Sequence, residues 1–320
     1  MAMAIPPMLS VVVPMYHEAD GLDVFFGRVV PVLESITADW EIICVNDGSR
    51  DSTADGVRGW HARDKRIKLI SLSRNFGKET ALTAGLYHAR GQAVVPIDAD
   101  LQDPPELIVE MVEQWRAGFK VVLATRRLRS EDSFLKRHTA LMFYRVMGKV
   151  SHTEIPKNTG DFRLMDHVVV EAIRRMQERT RFMKGLLSWV GYPTTQVFYD
   201  RPERAVGESK FNFFSLWKLA LDGIFSFTTI PLKVWTYVGA GISLLSFIYA
   251  IFLILRTLLS GSDVPGYASL MVAVLFMGGI QLMSLGVLGE YIGRIYRETK
   301  RRPLYLIDEA LGVEVYYPDA

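Results

Sequence analysis

Val94-Val95-Pro96-Ile97-Asp98-Ala99-Asp100-Leu101-Gln102-Asp103-Pro104-Pro105 is an apolar, β-branched run that ends in two acids two residues apart and then in a double proline. Proline lacks the N–H a strand needs, so the pattern predicts a buried strand that delivers carboxylates at its C-terminal edge. In an open α/β sheet ligands sit at this edge, because the loops diverge there and helix N-termini turn free N–H groups into the crevice. The oxygens of Asp98 and Asp100 beside the amide of Gln102 suit a divalent cation that keeps waters and shares its other positions with phosphates. An isolated Asp-x-Asp is more often a solvated acidic turn. Here residues 14–18, 46–49 and 125–127 also follow strand-like runs and bring polar groups to the same edge.

The 320 residues leave room for two units, one with a substantial core. Lys and Arg number 37 against 35 Asp and Glu, a net charge of +2, so no global field gathers nucleic acid and no nucleic-acid partner is expected. The single cysteine, Cys44, excludes an intrachain disulfide, and its neighbours Ile42, Ile43 and Val45 mark it as a buried strand residue. The N-terminus lacks a basic segment and meets Pro6-Pro7 at once, so no cleaved signal is expected and the first domain should stay in the cytosol.

Apolar runs at 9–13, 41–45, 67–72, 93–97 and 120–124 are separated by helix-length segments, which predicts βαβ units and a mostly parallel sheet. Asp51-Ser52-Thr53 should begin the second helix, and Pro104-Pro105-Glu106 the fourth. Pro31 is expected to kink or end the first. No Gly-x-Gly-x-x-Gly follows the first strand and no Walker loop is present, which disfavours a dinucleotide or P-loop site.

Residues 130–151 have a helical pattern that would either pack on the domain or lie in a membrane interface. Residues 211–232 are too aromatic for water and too polar to span lipid, as an in-plane helix would be. Two apolar runs, 234–255 and 268–288, each reach the length of about 20 residues that crosses a hydrocarbon core, and both are expected to span. Lys233 precedes the first and Arg294, Arg297, Lys300, Arg301 and Arg302 follow the second, while the connector 257–267 has no Lys or Arg. Both termini should therefore lie inside. Gly286, Gly289 and Gly293 permit close helix approach and hence self-association, and Glu290 and Arg294 should pair at i, i+4.

Val45-Asn46-Asp47-Gly48-Ser49, Ile97-Asp98-Ala99-Asp100-Leu101-Gln102-Asp103-Pro104, Gly160-Asp161-Phe162-Arg163-Leu164, Gly207-Glu208-Ser209-Lys210 and Leu288-Gly289-Glu290-Tyr291-Ile292-Gly293-Arg294 resemble glycosyltransferase family 2, polyprenyl-phosphate branch. Ser73-Arg74-Asn75-Phe76-Gly77-Lys78-Glu79 and the stretch 182–191 are most similar to its bactoprenol glucosyltransferases, which supply lipid-linked glucose for O-antigen modification. The resemblance runs over nearly the whole chain. It implies a GT-A fold, an α/β class with a Rossmann-like, mostly parallel sheet followed by in-plane and two transmembrane helices. The expected domains are a cytosolic catalytic domain at 1–210, the in-plane helix at 211–232, a membrane hairpin at 233–292 and a basic cytosolic tail at 293–320.

The implied reaction is inverting transfer of one sugar, glucose from UDP-glucose being favoured, to a polyprenyl phosphate on the cytosolic face of the bacterial inner membrane. By the same resemblance Pro14, Tyr16, Glu18, Asp47, Asp98 and Ala99 would hold the nucleotide sugar, with Arg126, Arg204 and Lys210 meeting its phosphates. Asp100, Gln102 and Asp98 would bind Mg²⁺ or Mn²⁺, making Asp100 catalytic with Asp161, the acid expected beside the acceptor. The acceptor is a phosphate whose second pKa of about 6 leaves it substantially ionised, so Asp161 has less proton to remove than position to impose. The cluster Arg126, Arg127, Arg129 and Lys136 would guide the lipid phosphate. Two spans are too few to enclose a polar path, so a separate flippase is expected.

A processive polysaccharide synthase would carry Gln-x-x-Arg-Trp and more spans. The nearest match here, Gln114-Trp115-Arg116, has the wrong order and place. A non-catalytic membrane scaffold is disfavoured by the intact carboxylates.

Overall fold

A computed structural model describes residues 8–127, 159–176, 178–179, 183–200, 230–260 and 266–316. The chain divides into two units, residues 1–217 with 302–320, and residues 218–301.

The first unit is built on eight strands: β1 (Leu9–Met15), β2 (Trp40–Asn46), β3 (Ile67–Leu72), β4 (Ala93–Pro96), β5 (Val121–Arg126), β6 (Thr159–Asp166), β7 (Thr194–Tyr199) and β8 (Ile307–Leu311). They lie in the order β7-β5-β6-β4-β1-β2-β3-β8. The pairs β1/β2, β2/β3, β1/β4 and β5/β7 are parallel, whereas β6 runs against β4 and β5, and β8 against β3. The sheet is therefore GT-A-like and Rossmann-like but mixed.

The helices are α1 (Leu22–Ile36), α2 (Thr53–Arg63), α3 (Lys78–His88), α4 (Leu107–Arg116), α5 (His167–Arg174) and α6 (Met183–Trp189). β1 and β2 are mostly apolar and buried almost throughout because both faces are covered. On one face Leu9, Val11 and Val13 share a core with Phe25, Phe26, Val29 and Leu33 of α1 and with Ile108, Met111 and Val112 of α4. On the other, α3 lies so close that a Cβ on Gly85 would stand 2.2 Å from Cγ1 of Val12.

Asp51 accepts from both the N–H and the hydroxyl of Thr53 and so starts α2, and the carbonyls of Pro104 and Pro105 receive the first N–H groups of α4. Pro31 does not end α1, which continues to Ile36. The one intrahelical bond Pro31 cannot make is outweighed by the apolar face that α1 buries.

The chain leaves β1 for β2 and β3 on one side and returns to β4 on the other, so the sheet's switch point lies between β1 and β4. A crevice opens at the C-terminal ends of such strands. The expected basic tail departs from its expected form, because after Arg302 it returns to this sheet as β8. Glu309 of β8 holds Arg58 of α2 at 2.7 Å, and Ser73 N–H donates to the Leu306 carbonyl at 2.9 Å.

The second unit contains α7 (Ile230–Ser260) and α8 (Tyr267–Thr299). Among the described residues one stretch, Ser269–Thr299, is long and apolar enough to cross a membrane, and Val234–Tyr249 is a shorter apolar helix. The expected pair of spans is thus matched here by one such helix. Arg294 reaches Glu290 at 3.0 and 3.1 Å, as the i, i+4 spacing predicts. A Cβ placed on Gly286, Gly289 or Gly293 would meet nothing within 4 Å among the described residues. The helical pattern at 130–151 and nearly all of the in-plane helix at 211–232 lie outside the described residues.

Candidate active site

A cavity of about 370 Å³ opens at the switch point. Pro14, Met15, Tyr16 and Glu18 line it from the end of β1, Asp47 from β2, Asn75, Gly77, Lys78 and Ala81 from the entry into α3, and Asp98, Ala99 and Asp100 from the end of β4. Each group reaches the cavity because its strand ends at the same edge.

The wall before α3 is fixed by Asp47. Its carboxylate is buried and accepts from Phe76 N–H at 2.7 Å and Gly77 N–H at 2.9 Å. The turn after β2 seats against the same loop. Gly48 has φ +67, and a Cβ there would lie 2.3 Å from the backbone carbon of Arg74. Only glycine fits that approach. After β4, Leu101 takes φ 55, a strained value for a non-glycine residue, and Gln102 N–H donates to Asp100 Oδ1 at 3.1 Å.

Asp161 reaches this edge because β6 is antiparallel to β4, with Val94 opposite Met165. The N-terminal end of β6 therefore meets the C-terminal end of β4. Lys78 joins the two, its Nζ standing 2.7 Å from Asp98 Oδ2 and 3.2 Å from Asp161 Oδ2. Burial pulls the Lys78 ammonium down, but Asp98 and Asp161 outweigh it and hold its pKa above the ordinary lysine value. Composition and spacing did not single out Lys78, since a lysine opening a helix looks like a solvated charge. The signal available was its position after Gly77 in a loop that follows a strand.

Arg126 sits differently from its expected place at the donor phosphates. Its Nε donates to the Tyr199 hydroxyl at 3.0 Å and its Nη2 lies 3.4 Å from Asp103 Oδ1, and it does not line the cavity. The Tyr199 hydroxyl also donates to Asp103, whose side chain is buried. Burial, reinforced by Asp103, pushes Tyr199 up to about 12. Asp103 is thus tied to the partners that β5 and β7 supply. Arg127 is largely exposed, 3.7 Å from Asp200. Arg129, Lys136, Arg204 and Lys210 lie outside the described residues.

The oxygens present fit a hard divalent cation. Asp98 and Asp100 face one cavity, and beside them Gln102 Oε1 is buried with no hydrogen-bond partner among the described residues. No group of three or more His, Cys, Asp or Glu side chains forms a closed cage among the described residues. Such a site suits an ion that fills its remaining positions with water and substrate phosphate.

A mixed sheet of this order, with acids gathered at its switch point, is that of a GT-A-type glycosyltransferase. Residues 10–174 match glycosyl transferase family 2, and residues 230–295 match the GtrB C-terminal hairpin. The chain is 58% identical over 310 residues to an uncharacterized glycosyltransferase of Synechocystis sp., covering 97% of each. It is 50% identical over 299 residues to the prophage bactoprenol glucosyl transferase homolog of Escherichia coli, covering 93% of this chain and 98% of that one. With the bactoprenol glucosyl transferase of Shigella phage SfV it shares 51% over 299 residues, covering 93% and 97%. The chain belongs to glycosyl transferase family 2 and is a glycosyltransferase.

Proposed function

We propose that this enzyme transfers a single glucose from UDP-glucose to undecaprenyl phosphate, with inversion, giving a lipid-linked sugar for O-antigen or other envelope glycan modification. One combination carries the proposal. The cavity lined by Asp98, Asp100 and Lys78, with Asp161 held 3.2 Å from Lys78 Nζ, belongs to a chain that is similar, over nearly its whole length and through an apolar C-terminal hairpin, to bactoprenol glucosyl transferases.

In this mechanism Pro14, Tyr16, Glu18, Asp47 and Ala99 hold the nucleoside half of the donor. The ring of Tyr16 is 44% exposed and available to stack, and Asp47 keeps lone pairs beyond the two its loop uses. Asp98, Asp100 and Gln102 would hold Mg²⁺ or Mn²⁺. Such an ion, when bound, supplies Lewis-acid charge neutralisation to the departing diphosphate. Lys78 adds a fixed positive charge beside the same phosphates. Asp161 orients the acceptor phosphate on the opposite face of the sugar, so that its oxygen bonds to C1 as the C1–O bond to the diphosphate breaks. Lys210 and Arg204 are assigned to the donor phosphates, and Arg127, Arg129 and Lys136 to the approach of the lipid phosphate. Arg126 joins either set only by leaving Asp103.

The catalytic domain, residues 1–210, faces the cytosol of the bacterial inner membrane. The in-plane helix at 211–232 lies at the bilayer surface, both helices of the hairpin at 233–292 span, and both termini stay inside. The tail at 293–320 is cytosolic, and translocation of the product falls to a separate flippase. The glycines of the spans permit a homo-oligomer.

Purified full-length enzyme with UDP-glucose, undecaprenyl phosphate and Mg²⁺ should release UDP and give a lipid carrying one sugar on thin-layer separation. Excess chelator should abolish turnover, and so should Asp100→Asn combined with Gln102→Ala. Full turnover in chelator, or repeated sugar addition, would overturn the proposal.

A further inference from the structure

A second cavity, of about 530 Å³, shares Tyr16 and Asn75 with the donor cavity and is otherwise walled by the turns after β1 and β2, the first turns of α2, the end of β3, and β8. The transfer reaction described above uses none of its remaining residues. Three arginines line it. Arg58 is committed to Glu309 and Asp55. Arg50 and Arg74 enter no ion pair among the described residues.

Arg74 is held ready rather than loose. Its guanidinium carbon sits 4.1 Å over the Phe76 ring, and Nη1 donates to the Asn75 carbonyl at 3.1 Å. Arg50 is placed by its own backbone N–H, which donates to His17 Nε2 at 3.2 Å. His17 in turn takes φ 57, donates its N–H to Ser49 Oγ at 3.0 Å and stacks on Tyr16 at 4.1 Å. A strained residue that the donor site does not require, tying together the rims of both cavities, is the mark of a built site.

We propose that this cavity is a second ligand site, for a soluble phosphate ester of mononucleotide size, distinct from the donor cavity. Its volume falls within the range of small-ligand sites, about 300–1,000 Å³. The two uncommitted guanidinium forks match phosphate oxygens, which a planar fork engages two at a time. The hydroxyls of Ser71 and Ser73 and the carboxylate of Asp308 offer partners for sugar hydroxyls.

The test uses the full chain in detergent micelles with excess chelator, so that metal-dependent phosphate binding at Asp98 and Asp100 is silent. UMP and inorganic pyrophosphate are titrated calorimetrically. The expected result is saturable binding of UMP in two components: one belongs to the nucleoside subsite of the donor cavity and is weakened in Glu18→Gln, the other is weakened at least about tenfold in Arg50→Gln and in Arg74→Gln and is unchanged in Glu18→Gln and Asp100→Asn. Pyrophosphate binding with the same arginine dependence supports the site and shows that phosphate alone suffices. Arg50 is exposed, so Arg50→Gln should keep the wild-type unfolding midpoint and report on binding alone. Repeating the titration in phosphatidylglycerol nanodiscs separates the sources, because competition there assigns the site to a lipid headgroup and overturns the soluble ligand. Absence of binding by both probes, equal binding in both arginine variants and wild type, or loss in Asp100→Asn alone also overturns the proposal.

Discussion

Lys78 Nζ lies 2.7 Å from Oδ2 of Asp98, so the first residue of α3 meets the first acid beyond β4. The same nitrogen reaches Asp161 of β6, and the raised pKa of the lysine keeps it cationic across the working range. Lys78→Met would leave two carboxylates facing each other and the departing diphosphate without a fixed charge. We expect kcat to fall on the order of 10²-fold, the scale seen when one preorganised charge-stabilising donor is removed. Lys78→Arg keeps the charge and should lose less. Initial rates of nucleotide release decide it, and equal rates for Lys78→Met and wild type would place Lys78 outside the chemistry.

Asp47 fastens the loop that carries Asn75, Gly77 and Lys78 by accepting from two backbone N–H groups at once. Asn at this position offers one acceptor oxygen and turns an NH₂ group toward the second N–H. A buried donor left unsatisfied costs about 1–3 kcal/mol. Asp47→Asn should therefore lower the denaturant midpoint and weaken donor binding together. A variant that loses donor affinity at unchanged stability would mean that Asp47 acts on the ligand and not on the loop.

Half-buried Arg126 joins buried Tyr199 and Asp103 in a trio in which a phenol donates to a carboxylate and receives from a guanidinium. Tyr199→Phe removes the hydroxyl and should destabilise the fold by about 1–3 kcal/mol. The pH dependence follows from the same contact. Tyr199 titrates near about 10 when unfolded and about 12 when folded, so the fold favours the protonated phenol. Its contribution is complete below about pH 10 and should be lost as pH rises toward about 12. Chemical denaturation of wild type and Tyr199→Phe across that window should converge at the alkaline end, and parallel curves would show that the contact does not couple to folding.

The first five strands were legible because each is a short apolar run with turn chemistry at its end, the signature of strands covered on both faces. β6 was not, since Gly160, Asp161 and Arg163 break its apolar pattern and its register is set by β4 and β5. β7 alternates exposed and buried positions, and β8 is a short, acidic edge strand that follows a long apolar hairpin. The acids Asp98 and Asp100 could be placed at the sheet edge from their position after a strand. The pairing of Lys78 with Asp161 could not, because it depends on an antiparallel strand that periodicity hides. Asp103 looked like one more acid of the same run until β5 and β7 supplied its partners.

The tail that returns as β8 is also joined to the sheet through His88, a buried residue of α3. His88 Nδ1 lies 2.7 Å from the Ala84 carbonyl and Nε2 accepts from Tyr316 N–H at 3.1 Å, an arrangement that requires the neutral ring. Burial lowers its pKa, and Arg174 and Arg90 lower it further against the Ala84 carbonyl. A histidine with a depressed pKa contributes stability that is complete above its unfolded value of about 6.5 and is lost as pH falls through the folded value. Protonation turns Nε2 from acceptor into donor and sets it against the Tyr316 N–H, so the tail should loosen in acid. Hydrogen exchange of residues 307–316, corrected for intrinsic rates, should speed up between pH 7 and pH 5. His88→Phe should exchange fast at both, because the acceptor is gone throughout. Equal protection of the wild-type tail at the two pH values would mean that the tail is held by the ladder to β3, by Arg58 and Ser73 and by the ion pair of Arg90 with Glu314, with His88 a bystander.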